Sequence, residues 1–273
     1  MLSAALIKEL EKRLGVNVGE NDEEIKLNQV LVGIAQENSY ANDQEAQQRL
    51  DDEVRLIEKA LQKFSGLNVI KSKGLQLRLG KFGSLTSGFA GVDADLDLTI
   101  LTNCYINEIE FLRLLHEFLK KEYKLEESNR GGGRRITVEL ISQAKTPLIQ
   151  LTIGERGRID LKIDIIVNNI LGVINSKFLS VYSQVRWIKN LGLLAKLWGK
   201  AKNLIGKNAL SSYAMVLMLI HYLIKSRRAR PIMDHRVTAN KPYFDFKRMK
   251  QSEPEQFKVY YTFKDDPKEA SIE

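Results

Sequence analysis

An α+β fold is expected: a small mixed sheet packed beside a mainly helical part built from both chain ends, with a ligand cleft between them. Three observations predict it. Apolar residues recur at helical spacing through 1–65, at alternating strand and helix spacing through 66–170, and at helical spacing again after 171. The middle block carries a Gly-Ser turn and several aspartates inside or beside apolar, strand-like runs. With 273 residues, the chain is long for one compact core, so two domains are expected.

Helices are predicted over 23–36 and 43–64, with a break near 38–42. The middle block then runs strand 75–79, a helix after Ser84, strand 96–101, helix 106–123, and strands near 136–141, 148–153 and 159–167. Residues 171–229 return to helical spacing. The domain boundaries that follow are 1–65 as a helical segment joining the helical domain, 66–170 as the mixed domain, and 171–273 as the helical domain with a divergent tail.

The chemistry starts at Gly83-Ser84. A glycine there permits a tight turn, and a helix beginning at that point aims free N–H groups at an anion. Asp95 and Asp97 follow, two apart, at the head of Leu96-Asp97-Leu98-Thr99-Ile100-Leu101. In a strand both carboxylates point to one face, with Leu96 and Leu98 on the other. Asp93 shares that alternation, so an Asp93/Asp95 frame is also available; Leu96 and Leu98 bracketing Asp97 favour Asp95/Asp97. Adjacent carboxylates repel unless a cation lies between them, and hard divalent ions such as Mg²⁺ take oxygen ligands shared with phosphates. Two such ions roughly 3.5–4 Å apart suit a phosphoryl displacement.

A third carboxylate lies in 159–167, where Asp160, Lys162 and Asp164 alternate on one face. A charge inside so apolar a strand is costly to bury without a partner. Asp164 either pairs with Lys162 or a nearby arginine, or completes a three-carboxylate metal site. Asp160, near the 156–158 loop, is expected at the strand's mouth.

This order of Gly-Ser, Asp-x-Asp and Asp resembles the polymerase-β-like nucleotidyltransferases. Downstream segments resemble their noncanonical poly(A) polymerase and terminal uridylyltransferase branch: Thr146-Pro147-Leu148-Ile149-Gln150-Leu151, Asp164-Ile165-Ile166-Val167-Asn168-Asn169, and Asn175-Ser176. The series continues with Arg186-Trp187-Ile188-Lys189-Asn190-Leu191, Lys196-Leu197-Trp198-Gly199-Lys200 and Leu210-Ser211-Ser212-Tyr213-Ala214, so the likeness runs through about 75–225.

The resemblance implies a nucleotidyltransferase catalytic domain at 66–170 and a helical nucleotide-binding domain after it. It implies that Gly83 and Ser84 hold the triphosphate, and that Asp95 and Asp97 bind two Mg²⁺ (or Mn²⁺) ions. Asp164 then holds the catalytic ion and helps to activate an RNA 3′-hydroxyl. Asn175, with Ser176 beside it, contacts ribose and base; Lys196, Lys200 and Ser212 contact phosphates; Tyr213 stacks on the base. The implied partners are UTP (or ATP) and an RNA 3′ end. No RNA-binding module is recognisable in the sequence, so affinity for RNA is expected to be weak or supplied by a protein partner, and no membrane association is expected. UTP is the expected donor, because Asn175-Ser176 and Ser212-Tyr213 look most like the uridylyltransferases.

By spacing alone, Lys196 and Lys200 share one helix face, where like charges are mildly destabilising unless an anion joins them. Two solvated lysines fit the same spacing. Tyr213 opens an apolar run and, taken alone, is a core residue; its ring can also stack on a base without reading it.

A net charge of +8 favours a polyanionic partner. Arg130-Gly131-Gly132-Gly133-Arg134-Arg135 and Lys225-Ser226-Arg227-Arg228-Ala229-Arg230 are candidates to grip RNA phosphates, or solvated loop and helix-end cations. The lone Cys104 allows no internal disulfide and suits a reducing compartment, so an intracellular location is expected, cytoplasmic first, with mitochondrion and nucleus as alternatives. Three unpaired histidines give no case for zinc. The start lacks a signal-peptide apolar region, and the apolar stretch 209–224 is broken by polar residues, so a buried helix is expected there. The tail lacks the base-recognition turn usual in the family, and 257–263 resembles its aromatic run only faintly.

Enzyme and non-catalytic RNA-binding subunit remain distinct alternatives. Retention of all three carboxylates and both lysines favours the enzyme.

Overall fold

Five strands form one mixed sheet in the order β1-β2-β5-β4-β3, with β2 and β5 parallel and every other neighbouring pair antiparallel. The computed structural model describes residues 20–130, 134–155, 160–206, 208–232, 244–248 and 255–259. The strands are β1 Leu77–Phe82, β2 Leu96–Thr102, β3 Arg134–Ile141, β4 Leu148–Glu155 and β5 Leu161–Val167. Helices α1 Glu20–Glu37, α2 Gln44–Ser65 and α3 Asn68–Lys71 precede the sheet. The short α4 Gly83–Ser87 joins β1 to β2, and α5 Glu108–Arg130 joins β2 to β3. After the sheet come α6 Ile170–Gln184, α7 Arg186–Ala201, α8 Ser212–Lys225 and a hairpin of β6 Phe244–Arg248 with β7 Glu255–Val259. The expected α+β fold is therefore present; the elements predicted in 66–170 lie within a few residues of their places, except that the helix expected over 106–123 runs on to Arg130, and the short α3 is not among the predicted elements.

One face of the sheet is dry. Leu96, Leu98 and Ile100 of β2 alternate inward beside Ile163, Ile165 and Val167 of β5 and Ile149, Leu151 and Ile153 of β4. Two helices cover this face. In α2 the buried residues Leu50, Val54, Ile57, Leu61 and Phe64 recur at helical spacing, and in α5 they are Phe111, Leu112, Leu115 and Leu119. The Phe64 ring meets Phe111 edge-on at 5.6 Å. Asp43 starts α2 by accepting the Ala46 N–H at 2.9 Å.

A second core lies among the helices after the sheet, with Leu179, Tyr182, Ile188, Val216, Ile220 and Leu223 buried together. Phe89, from the loop between α4 and β2, is buried in that cluster. Of the helical segment expected over 1–65, residues 1–19 lie outside the described residues; of the rest, α1 packs on α7, whereas α2 packs on the sheet with α5. The reason is the apolar stripe of α2, which matches the dry sheet face rather than the helical half.

Gly33 sits inside α1, and a Cβ added there would have no heavy atom within 4 Å. Gly33→Ala is therefore expected to stabilise the protein by about 0.5–1 kcal/mol. Thermal melts check this; an unchanged or lower midpoint would show that α1 is not helical in solution.

Candidate active site

The other sheet face carries the polar residues. Asp97 of β2 and Asp164 of β5 are directly paired in parallel register, so their side chains stand side by side. Gln150 of β4 is opposite Asp164 and donates from Nε2 to its Oδ1 at 2.9 Å. Asp95 lies one residue before β2 begins, in irregular backbone rather than in the strand alternation expected for it. Its carboxylate nevertheless acts on the same group. Burial first, then Asp164 and Asp95, push the Asp97 carboxyl up to about 7. Asp95 is itself raised by burial, with Asp164 and Asp93 adding to the rise and Lys162 and Lys200 opposing it.

Gly83 explains how the turn reaches these carboxylates. Its φ is +79°, and a Cβ at that position would land on the Asp97 carboxylate. The Gly83 N–H donates to Ser176 Oγ at 2.8 Å, and that hydroxyl donates in turn to the Gly172 carbonyl at 2.7 Å. So α4 begins at the expected place, but its first N–H is not free for an anion, and Ser176 is the buried pin that holds the turn.

Asp97 stands where three cavities meet. One, of about 210 Å³, is lined by Ser84, Asp93, Asp95, Asp97, Lys196, Lys200 and Ser212, with Asn38 at its edge. A second, of about 240 Å³, shares Ser84, Asp97, Lys196 and Ser212 and adds Gly83, Ser176, Leu179, Tyr213 and Val216. Tyr213 is 42 % exposed, so its ring is open to a ligand rather than sealed in the core. The third, of about 400 Å³, lies towards Lys145, Thr146, Pro147, Asp164, Asn168 and Asn169.

The two lysines differ in setting. Lys196 is buried and donates from Nζ to the Phe89 carbonyl. Burial, with Lys200 beside it, pulls its ammonium down to about 8. Lys200 is half exposed and pairs with Asp93 at 3.0 Å. Burial raises Asp93, but the Lys200 contact outweighs it and leaves the carboxyl below its usual value.

The sheet and the helices thus bring Gly83, Ser84, Asp95, Asp97, Asp164, Ser176, Lys196, Lys200, Ser212 and Tyr213 around adjoining hollows. Asn175 is half-buried on α6 and lines none of these cavities. Asp160 is exposed just before β5 and pairs with Arg135 at 3.7 Å, as its place at the strand's mouth requires. Residues 131–133 of the basic loop and 260–263 of the aromatic run lie outside the described residues. Arg227, Arg228 and Arg230 are exposed beyond α8. Several polar residues at the site were not singled out by the sequence, among them Gln150, Asn38 and Lys145. Gln150 had a signal, as a polar residue alternating within an apolar strand; Asn38 had none, since a turn after α1 says nothing of what it will meet.

Three carboxylates offer hard oxygen ligands of the kind a divalent cation takes, and the mutual repulsion centred on Asp97 is what such an ion relieves. As they stand, no three His, Cys, Asp or Glu side chains among the described residues converge closely enough to hold a metal. The donor chemistry of Asp95, Asp97 and Asp164 fits a hard divalent ion. No helix among the described residues is long and apolar enough to cross a membrane.

Residues 35–184 match the family described as the central palm domain of mitochondrial-like poly(A) RNA polymerase. The chain belongs to this family. The match spans β1 to β5 and α6, so the sheet with its aspartates is the family's palm. The terminal uridylyltransferase cid1 of Schizosaccharomyces pombe is 31% identical over 148 residues, 52% of this chain and 34% of that protein. The poly(A) RNA polymerase cid11 of the same organism is 26% identical over 158 residues, 55% of this chain and 29% of that protein. The matched stretch thus spans about a third of these relatives. A structure of the Cid1 poly(U) polymerase with bound MgGTP superposes with a TM-score of 0.61 at 22% identity, covering 90% of this chain and 68% of that one. At that identity the likeness shows the palm and its helical neighbour as a shared fold.

Proposed function

We propose that this protein adds UMP from UTP to RNA 3′ ends without a template, releasing pyrophosphate. The observation that carries the reading is that Asp95 and Asp97 share a hollow of about 210 Å³ with Lys196 and Lys200, while Asp164 is paired in register with Asp97 and lines the adjoining hollow. In this reading Ser84, Lys196, Lys200 and Ser212 bind the phosphates and Tyr213 stacks on the base in the adjoining hollow. In-line displacement needs the acceptor on the side of the α-phosphate opposite the leaving pyrophosphate. In this reading the acceptor side is the hollow of about 400 Å³, which shares Asp97 with the lysine-lined hollow, adds Asp164 and includes neither lysine, and it takes the RNA 3′ end. There Asp164, its orientation set by Gln150, takes the proton from the 3′-hydroxyl.

Asp95, Asp97 and Asp164 would hold Mg²⁺ or Mn²⁺. The ion would supply charge stabilisation at the phosphoryl oxygens and lower the pKa of the acceptor hydroxyl.

ATP is the second reading for the donor, since the relatives include both a uridylyltransferase and a poly(A) polymerase. Asn175 lies outside the cavities and the Ser176 hydroxyl is engaged with backbone, so the preference for UTP rests on the resemblance of Ser212-Tyr213 to the uridylyltransferases rather than on a contact that reads the base. Incubation of the protein with labelled RNA, Mg²⁺ or Mn²⁺ and each nucleotide separately decides it. Extension with UTP alone is the expected result, extension mainly with ATP transfers the proposal to the second donor, and no extension with any nucleotide overturns the enzyme.

A further inference from the structure

One short loop engages both cleft lysines. Residues 89–93 are anchored in the helical core by Phe89, whose ring lies where a Cβ on Gly192 of α7 would stand. The Phe89 carbonyl accepts from Lys196, and one turn along α7 Lys200 donates to Asp93 Oδ2 at 3.0 Å. The loop's other edge is tied to the turn after α1. Tyr40 N–H donates to the Ala90 carbonyl at 3.1 Å and Val92 N–H to the Asn38 carbonyl at 3.2 Å. Asp93 is therefore not an idle surface carboxylate. It is held at the wall of the same hollow as Ser84, Lys196, Lys200 and Ser212.

We infer that Asp93 is an internal stand-in for phosphate, which pairs with Lys200 until a polyphosphate binds and must then give that lysine up. This rests on the proposed nucleotide site. A carboxylate and a phosphate oxygen offer an ammonium the same kind of acceptor, and both carry negative charge. They repel each other when brought into one hollow, so the ligand that gains Lys200 displaces Asp93. Until then the carboxylate offsets the like-charge contact between two lysines four apart on a helix. The ion pair is half exposed, so the competition weakens binding only modestly, by about two- to five-fold. Asp93 lies outside the three-carboxylate group, and its contribution is to set the affinity for the phosphates rather than to touch the reacting atoms.

The test is calorimetric binding of MgUTP, and of metal-free inorganic tripolyphosphate, to the wild type, Asp93→Asn, Lys200→Ala and the double variant. Asp93→Asn, an isosteric change, is expected to bind both ligands about two- to five-fold tighter. Most of that gain should vanish in the Lys200→Ala background, because the ammonium being competed for is gone. Equal or weaker binding by Asp93→Asn overturns the inference, as does an undiminished gain without Lys200. If the wild type binds neither ligand, the reading of the site fails first, and the stand-in fails with it.

Discussion

Asp97→Asn is expected to abolish nucleotide transfer while raising the melting temperature of the metal-free protein. The two effects have one cause. Asp97 is partly buried, faces Asp164 in register and feels Asp95, and its carboxyl is pushed up to about 7. In the unfolded chain the same group titrates near its ordinary value of 3.8. Between those values the folded protein binds the extra proton, so stability from this group falls as pH rises and the penalty is complete above about 7. Asparagine removes the charge at constant shape. Its advantage should be absent below pH 4, grow up to neutral pH, and reach on the order of 1–3 kcal/mol. That corresponds to a rise of several degrees in the midpoint, roughly 2–4 °C per kcal/mol for a chain of this size. Transfer should fall by about 10²–10³-fold or more, because the cation that would offset charge at the reacting phosphoryl group loses a ligand. Melts with a chelator across pH 4–8 and RNA extension assays read the two halves independently. A destabilised variant would mean that the carboxylate is well partnered in the fold; an active one would remove Asp97 from the chemistry.

The opposition between stability and activity at Asp97 also marks how much the sequence could disclose. Periodicity disclosed the sheet, because Leu96, Leu98 and Ile100, with Ile163, Ile165 and Val167, alternate against one dry face. The same alternation put Asp97 and Asp164 on the opposite face. It could not place Asp95, since the strand begins at Leu96, as its apolar run predicts, and alternation says nothing of the irregular backbone before it. It also could not tell whether Ser176 points at a ligand or at the Gly83 N–H, because that contact joins residues 93 apart in the chain. Loop meetings such as Asn38 with Val92, or Phe89 with Gly192, are likewise set by packing between the two cores rather than by any local pattern. Lys196 shows the limit most clearly. Helical spacing put it on the face of Lys200, yet only the fold shows it buried against the Phe89 carbonyl while its neighbour remains half exposed.

Gly83→Ala is expected to be the most damaging single-methyl change in the described part of the protein. At φ +79° an L-residue is strained by roughly 1–2 kcal/mol, whatever surrounds it. Here the added methyl also meets the Asp97 carboxylate and its Cβ, so either the turn or the aspartate must move. Neither moves freely. The Gly83 N–H is held by the buried Ser176, and Asp97 is fixed by β2, whose neighbours β1 and β5 pair on both sides. A total loss of about 2–4 kcal/mol is expected, with transfer reduced at least about 100-fold even below the new midpoint. Activity suffers because Ser84 and Asp97 line the same hollows, and their separation is set by this contact. A double-mutant cycle separates the two sources. In an Asp97→Gly background the clash is gone and only the backbone strain remains, so Gly83→Ala should there cost about 1–2 kcal/mol. If the cost is equal in both backgrounds, the turn and the aspartate are not in contact in solution. The close approach of the α4 turn to β2 would then have to be explained by something other than this glycine.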